Sequence, residues 1–152
     1  MTDPVAETPL ITVLGDLVSV NHRLTRVAAR AAGSGESPAV WRTLSALSTN
    51  GPIRLGELAE LSRVSQPTAT KLVDGLVARG WAERRPDERD ARASRIGITA
   101  EGSAALVHWR SQLATALLPL FADLSESEAD TIARAVEILR ERVDRQELIV
   151  KK

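Results

Sequence analysis

The sequence predicts a mainly α-helical fold carrying one small β-hairpin. Aromatic residues are only 3% of the chain and Tyr is absent, so Leu, Ala and Val must fill the core. That composition suits packed helices better than a β-sandwich. Apolar stripes at helical spacing mark both ends and the middle of the chain. By contrast, Ile96 and Ile98 alternate with Arg95 and Gly97, the period of a half-buried strand.

In chain order, Thr8-Pro9 reads as an N-cap and first helical residue, opening a helix to about Ala32. Leu10, Leu14, Leu17, Val18, Leu24 and Val27 fall on or near one stripe, and Gly33-Ser34-Gly35 ends the run. Ser37-Pro38 starts a second helix through Leu47, and Asn50-Gly51-Pro52 stops it. Ile53 to Leu55 is a short extended link. Gly56 is the expected N-cap of a third helix, Glu57 to Ser62, with Glu57 favoured by the helix dipole. Ser65 caps a fourth helix, Gln66 to Arg79, closed by Gly80; Pro67 sits in its first turn, where a missing N–H costs nothing. Trp81 to Arg85 and Ser94 to Thr99 form the hairpin, joined by the charged loop Pro86 to Ala93. Thr99 caps a long fifth helix, about Ala100 to Asp123. The run Ser125-Glu126-Ser127-Glu128 is a capping box opening a sixth, to about Leu148.

Composition narrows the function classes. The 152 residues suit a single domain with helical extensions. With no cysteine, disulfides, thiolate zinc sites and thiol redox switches are excluded, and two histidines make a His-rich metal site a poor reading. No metal or cofactor is expected. No apolar run reaches membrane-spanning length, and the start MTDPVAETP lacks a signal peptide's basic residues, so a cytoplasmic protein is expected. No nucleophile–base pair, Gly-rich phosphate loop or supported acid pair argues for an enzyme. Net charge is zero, but its distribution is uneven. From Arg63 to Arg95 eight basic residues face five acidic ones; from Asp123 to Glu147 eight acidic residues face four basic ones. A basic centre suits a phosphate-facing surface, with the acidic arm turned away.

That centre has the outline of a winged helix-turn-helix, spanning 53–99. In the fourth helix Ala69, Leu72, Val73 and Leu76 share one face, expected to pack on Leu58, Ala59 and Leu61. The opposite face carries Pro67, Lys71, Asp74, Gly75 and Ala78, flanked by Thr68 and Thr70. Such a short, small-residued surface near a helix N-terminus can approach base edges in the major groove. Ser65, Gln66, Thr68 and Thr70 offer hydroxyl and amide groups, Pro67 an apolar contact for thymine methyls, and Lys71 a phosphate or guanine contact. Arg84, Arg85, Arg89, Arg92 and Arg95 cluster on the hairpin, where loop guanidinium groups can enter a minor groove. Arg54, in the short extended link, and Arg63, just after the third helix, complete the expected DNA-binding set. Asp90, two positions before Arg92, could brace that arginine.

These residues resemble the MarR-type transcriptional regulators. The run Leu58-Ala59-Glu60-Leu61-Ser62 followed by Val64-Ser65-Gln66-Pro67-Thr68-Ala69-Thr70-Lys71-Leu72-Val73 is similar to that family's helix-turn-helix, and Leu76 to Gly80 followed by Trp81 to its helix end. Arg85-Pro86-Asp87-Glu88-Arg89-Asp90-Ala91-Arg92 resembles the wing signature ending in Asp-x-Arg. Thr99-Ala100-Glu101-Gly102 resembles the Leu-Thr-x-x-Gly close. Gly97, Gly75 and Val77 depart from the family's usual residues. The resemblance covers essentially the whole chain. It implies Asp90 and Arg92 as the wing-tip pair, Arg92 in the minor groove, and Ser65 to Lys71 as the major-groove reader.

One small helix reads few base pairs, so specific binding calls for two copies on half-sites about one helical turn apart. Apolar stripes at Leu10, Ile11, Leu14, Leu17 and Val18, at Leu113, Leu117, Leu118, Leu120 and Phe121, and at Ile132, Val136, Leu139, Val143, Leu148 and Ile149 exceed what a wing module alone would cover. Residues 8–32 and 100–150 are therefore expected to build a homodimer, which agrees with the resemblance. The resemblance also implies a small aromatic or phenolic acid held between dimer arms and reading heads. His22, Arg26, Trp41, His108 and Trp109 are the candidates for it. Trp41 and Trp109 also read as core residues, and His22 and His108 as surface ones. The expected function is a sequence-specific double-stranded DNA-binding repressor released by a ligand. The alternative is a winged helix that binds another protein through its arginines.

Overall fold

The computed structural model describes residues 9–33 and 35–150, with side chains through residue 146. Thr8, Ser34 and the side chains of Leu148 and Ile149 lie outside them. The chain divides into two compact units, one ending at Ala116 and the other beginning at Leu117.

Within the first unit, α1 spans Leu10–Ala32, with Pro9 as its N-cap rather than its first residue. Gly33 closes it in the left-handed conformation at φ 61°. Helix α2 spans Pro38–Asn50, three residues longer than the expected Leu47 end, because Gly51 rather than Asn50 supplies the positive φ that stops it. Helix α3 spans Leu55–Ser62. Its N-cap is Arg54, not Gly56: the Arg54 backbone N–H donates to Glu57 Oε2 at 3.1 Å. Helix α4 spans Gln66–Ala78, with Ser65 Oγ accepting from the Thr68 N–H at 3.3 Å. Gly80 at φ 73° and the Trp81 N–H on Leu76 O at 2.9 Å make a Schellman close.

The β-structure has one strand more than the hairpin reading. Ile53–Arg54 (β1) joins Ala82–Pro86 (β2) and Ser94–Ile98 (β3) in an antiparallel sheet of order β1-β3-β2. Ile53 pairs with Ile96, and Arg54 with Arg95, which pairs in turn with Arg85. Helix α5 spans Ala100–Leu117, its Gly102 N–H bonded to Thr99 Oγ1 at 3.0 Å.

The first unit's core gathers Trp41, Leu44 and Leu47 of α2, Leu58 of α3, Val73 and Leu76 of α4, Ile96 of β3 and Leu106 of α5. Each large aliphatic side chain buried there contributes about 1.5–3 kcal/mol. Ala69, Val73 and Leu76 are buried as the helical spacing requires, and Leu72 is half-buried. Leu58 and Ala59 receive them, but Leu61 does not: it is 48% exposed. An eight-residue helix offers one narrow buried stripe, and Ser62 occupies the position next to it, taking a hydrogen bond from Thr43 Oγ1 at 3.2 Å.

In the second unit, a 3-10 turn over Leu118–Phe121 stands where the fifth helix was expected to continue to Asp123. Pro119 explains the break, since its ring clashes with the preceding turn and it has no N–H to donate. Helix α6 spans Glu126–Val150. Glu128 Oε2 accepts from the Ser125 N–H at 2.9 Å and Oγ at 2.7 Å, the expected capping box; these bonds hold the Glu128 carboxyl below its ordinary range. No helix among the described residues is long and apolar enough to cross a membrane.

Candidate nucleic-acid interface

The amino end of α4 is an open surface. Ser65, Gln66, Pro67, Thr68, Thr70 and Lys71 are all exposed. Ser65 and Thr68 pair through their hydroxyls at 2.9 Å, and Thr70 Oγ1 donates back to Gln66 O at 3.0 Å. Those three hydroxyls are therefore held in place with lone pairs still available. The side chains of Gln66 and Lys71 are exposed and make no hydrogen bond or ion pair among the described residues, the Gln66 amide lying over Gly56 of α3.

The wing is organised by a residue the sequence reading gave no role. Arg54, Arg95 and Arg85 lie in one cross-strand row, and like charges so placed repel. Asp87, just beyond β2, answers two of them. Its Oδ2 accepts from Arg54 Nε at 2.8 Å and Arg95 Nε at 3.1 Å, and its Oδ1 from the Arg89 backbone N–H at 2.8 Å. The Asp87 side chain is wholly buried while the Arg54 and Arg95 side chains stay 46% and 40% exposed. The Arg54 hydrogen bond, then the Arg89 N–H, holds the Asp87 carboxyl well below the usual carboxylate range, against the opposing effect of burial. The same pairing raises the Arg54 guanidinium pKa.

The loop beyond Asp87 is equally fixed. The Asp87 N–H donates to Ala93 O at 3.1 Å and the Ala93 N–H to Asp90 O at 2.9 Å. Asp90 Oδ1 accepts from the backbone N–H of Arg92 at 3.0 Å. Asp90 thus braces the loop backbone under Arg92, not its guanidinium, as an Asx turn does.

The wing arginines divide accordingly. Arg84 is tied to Asp74 of α4 at 2.5 Å, linking wing to helix. Arg85 folds back on Glu83 and covers Gly97, which explains how a glycine there is buried. Arg54 and Arg95 are clamped by Asp87, Arg95 also reaching Pro52 O at 3.3 Å. Arg89 and Arg92 are exposed, and their side chains carry no partner among the described residues. Arg63 ends α3 in the left-handed conformation at φ 56°, is exposed, and lines a cavity.

That cavity, about 780 Å³, brings together His22, Arg26, Trp41 and Trp109 of the expected ligand set. His108 is exposed on α5 and does not line it, because it lies one position, about 100° of helix, from Trp109. Arg30, Arg42 and Arg63 also line it, which the sequence reading missed. Trp41 is both a core residue, 7% exposed, and a cavity wall.

A helix-turn-helix with its reading helix exposed at the amino end, beside a three-stranded wing, defines the winged helix-turn-helix class. A profile of the MarR family matches residues 34–93. The HTH-type transcriptional repressor YetL of Bacillus subtilis is 32% identical over 114 residues, covering 74% of this chain and 68% of YetL. The transcriptional repressor MprA of Escherichia coli K12 is 31% identical over 98 residues, covering 64% of this chain; the match spans only 56% of MprA. Among solved structures, the transcriptional regulator Tm0710 of Thermotoga maritima matches with a TM-score of 0.70 at 25% identity, over 89% of this chain and 96% of that one. Apo MarR of E. coli shares the fold, with a TM-score of 0.64 at 22% identity over 87% and 96%. The chain belongs to the MarR family of winged-helix regulators.

Proposed function

We propose that this protein is a homodimeric, sequence-specific double-stranded DNA-binding regulator that works in the cytoplasm as a repressor. The observation that carries the reading is the pairing of the exposed amino end of α4 with a wing loop locked by Asp87 and Asp90. Two exposed guanidinium groups without a partner among the described residues, Arg89 and Arg92, belong to that loop. Gln66, Pro67, Thr70 and Lys71 read base edges, and Arg92 enters the adjoining minor groove. YetL and MprA, both named as transcriptional repressors, support the direction of regulation.

Two copies are needed to occupy two half-sites. On α1, Leu10 is 70% exposed, Ile11 81% and Val18 71%. In the second unit Leu118, Leu120, Ile132 and Val136 are likewise uncovered. So much exposed apolar surface supports a second copy as its cover. The cavity takes a small aromatic acid, with Trp41 and Trp109 as its apolar wall and His22 and Arg26 for the carboxylate. Its occupation releases the DNA.

Selection of bound duplexes from a random pool tests the reading. Recovery of a pseudo-palindrome, bound by two chains, is expected. Absence of any enriched duplex would leave the winged helix as a protein-binding module.

A further inference from the structure

We infer that Trp81 is the joint through which the cavity beside Trp41 and Trp109 acts on the DNA-reading helix and the wing. The inference rests on the function proposed above and adds the physical route of its regulation.

All three tryptophans of the chain lie in one stack. Trp41 and Trp109 are nearly parallel, centroids 4.7 Å apart at 7°. Trp41 also stacks on Trp81 at 5.7 Å and 27°. Trp41 and Trp109 line the cavity, while Trp81 lies behind them.

The backbone of Trp81 is held by three elements. Its N–H closes α4 on Leu76 O at 2.9 Å, and its carbonyl accepts from the Thr99 N–H at 3.1 Å. That carbonyl presses so closely on α5 that a Cβ at Gly102 would stand 2.0 Å from it. The next residue, Ala82, begins β2. Displacing the Trp81 ring therefore displaces the end of the reading helix and the root of the wing together. Packed elements of this kind shift between discrete arrangements instead of deforming smoothly.

A second tie runs beside the first. Glu36 lines the cavity and pairs with Arg79 at 2.8 Å, and the Arg79 guanidinium lies 5.1 Å from the Trp81 ring centroid. The cavity's chemistry acts on both ties. Arg26, Arg30, Arg42 and Arg63 outnumber Glu36 in its lining, and Trp109 Nε1 is buried without an acceptor among the described residues. A flat aromatic anion fits: it presses on the cavity side of the Trp41–Trp109 pair, offers an acceptor to the Trp109 indole, and repels the Glu36 carboxylate from Arg79.

The test uses the full chain, a duplex recovered by the selection above, and 8-anilinonaphthalene-1-sulfonate as the aromatic anion. Energy transfer from tryptophan to the probe reports whether it sits against the stack. In the wild type the probe is expected to lower duplex affinity at least about fivefold, the low end of ordinary allosteric coupling. Trp81→Leu is expected to bind probe and duplex independently, with that ratio near one, and Trp81→Phe to regain part of it. Glu36→Gln, which keeps the stack, is expected to reduce the ratio and serves if Trp81→Leu does not fold. Because every tryptophan is in the stack, duplex binding should also shift the wild-type tryptophan emission. Undiminished coupling in Trp81→Leu or, failing its folding, in Glu36→Gln overturns the joint, as does a wild type that binds duplex indifferently to the probe. A folded chain that binds no duplex removes the underlying reading instead.

Discussion

Arg54 Nε donates to the buried Asp87 Oδ2 at 2.8 Å, joining two residues 33 positions apart. This bond binds the strand before the helix-turn-helix to the base of the wing loop. It also sets the direction of the loop that carries Arg89 and Arg92.

Replacing Asp87 by Ala should therefore weaken DNA binding even though it makes the protein more cationic. Without the carboxylate, Arg54 and Arg95 repel across the ladder and the Arg89 N–H loses its acceptor. A lower melting temperature and a fall of about tenfold or more in duplex affinity are expected, from calorimetry and a binding titration. Tighter binding by the variant would mean that charge, and not loop geometry, dominates.

The clamp should be indifferent to pH near neutrality and acid-labile. The folded-state pKa of Asp87 lies below its ordinary value of 3.8. Its stabilisation is thus complete above 3.8 and is lost as the carboxyl protonates at lower pH. The melting-temperature gap between wild type and Asp87→Asn should be constant from pH 7 to about 5 and shrink in acid below the ordinary carboxylate pKa. A gap that widened in acid would contradict the assignment.

Wing arginines should rank by their partners. Arg92→Ala and Arg89→Ala remove guanidinium groups that have no partner among the described residues. Each should lower duplex affinity by about 1–3 kcal/mol or reduce the salt slope by about one, without altering the melt. Arg85→Ala, which removes a group already bound to Glu83, should cost less. Equal losses at all three positions in a binding titration would contradict this ranking.

Two glycines should respond differently. At Gly102 a Cβ would meet Trp81 O at 2.0 Å, so Gly102→Ala should destabilise by about 1–3 kcal/mol in denaturant unfolding. At Gly97 the nearest atom to an added Cβ is Pro52 Cγ at 3.5 Å, ordinary contact, so Gly97→Ala should be close to neutral. The same experiment on both variants checks the sheet and its junction with α5.

Locally encoded features were legible in the sequence. Ser65, Gly80, Thr99 and the Ser125–Glu128 box all act through neighbours within five positions, and each cap stands where its residue type requires. The exposed face of α4 followed from helical spacing alone. What escaped depends on pairing between distant segments. Strand β1 has two residues, too few for a periodic signal, and exists because Ile53 pairs with Ile96. The role of Asp87 follows only once β1 is placed beside β3. Pro119 was readable as a helix break, but the apolar stripe running through Phe121 masked it.

The salt dependence of duplex binding tests the central claim most directly. Log affinity should fall linearly with log salt, with a slope of about −0.9 for each phosphate neutralised, and the Arg92→Ala slope should be shallower by about one. A flat line for the wild type, or an Arg92→Ala line lying on the wild-type one, would contradict the account.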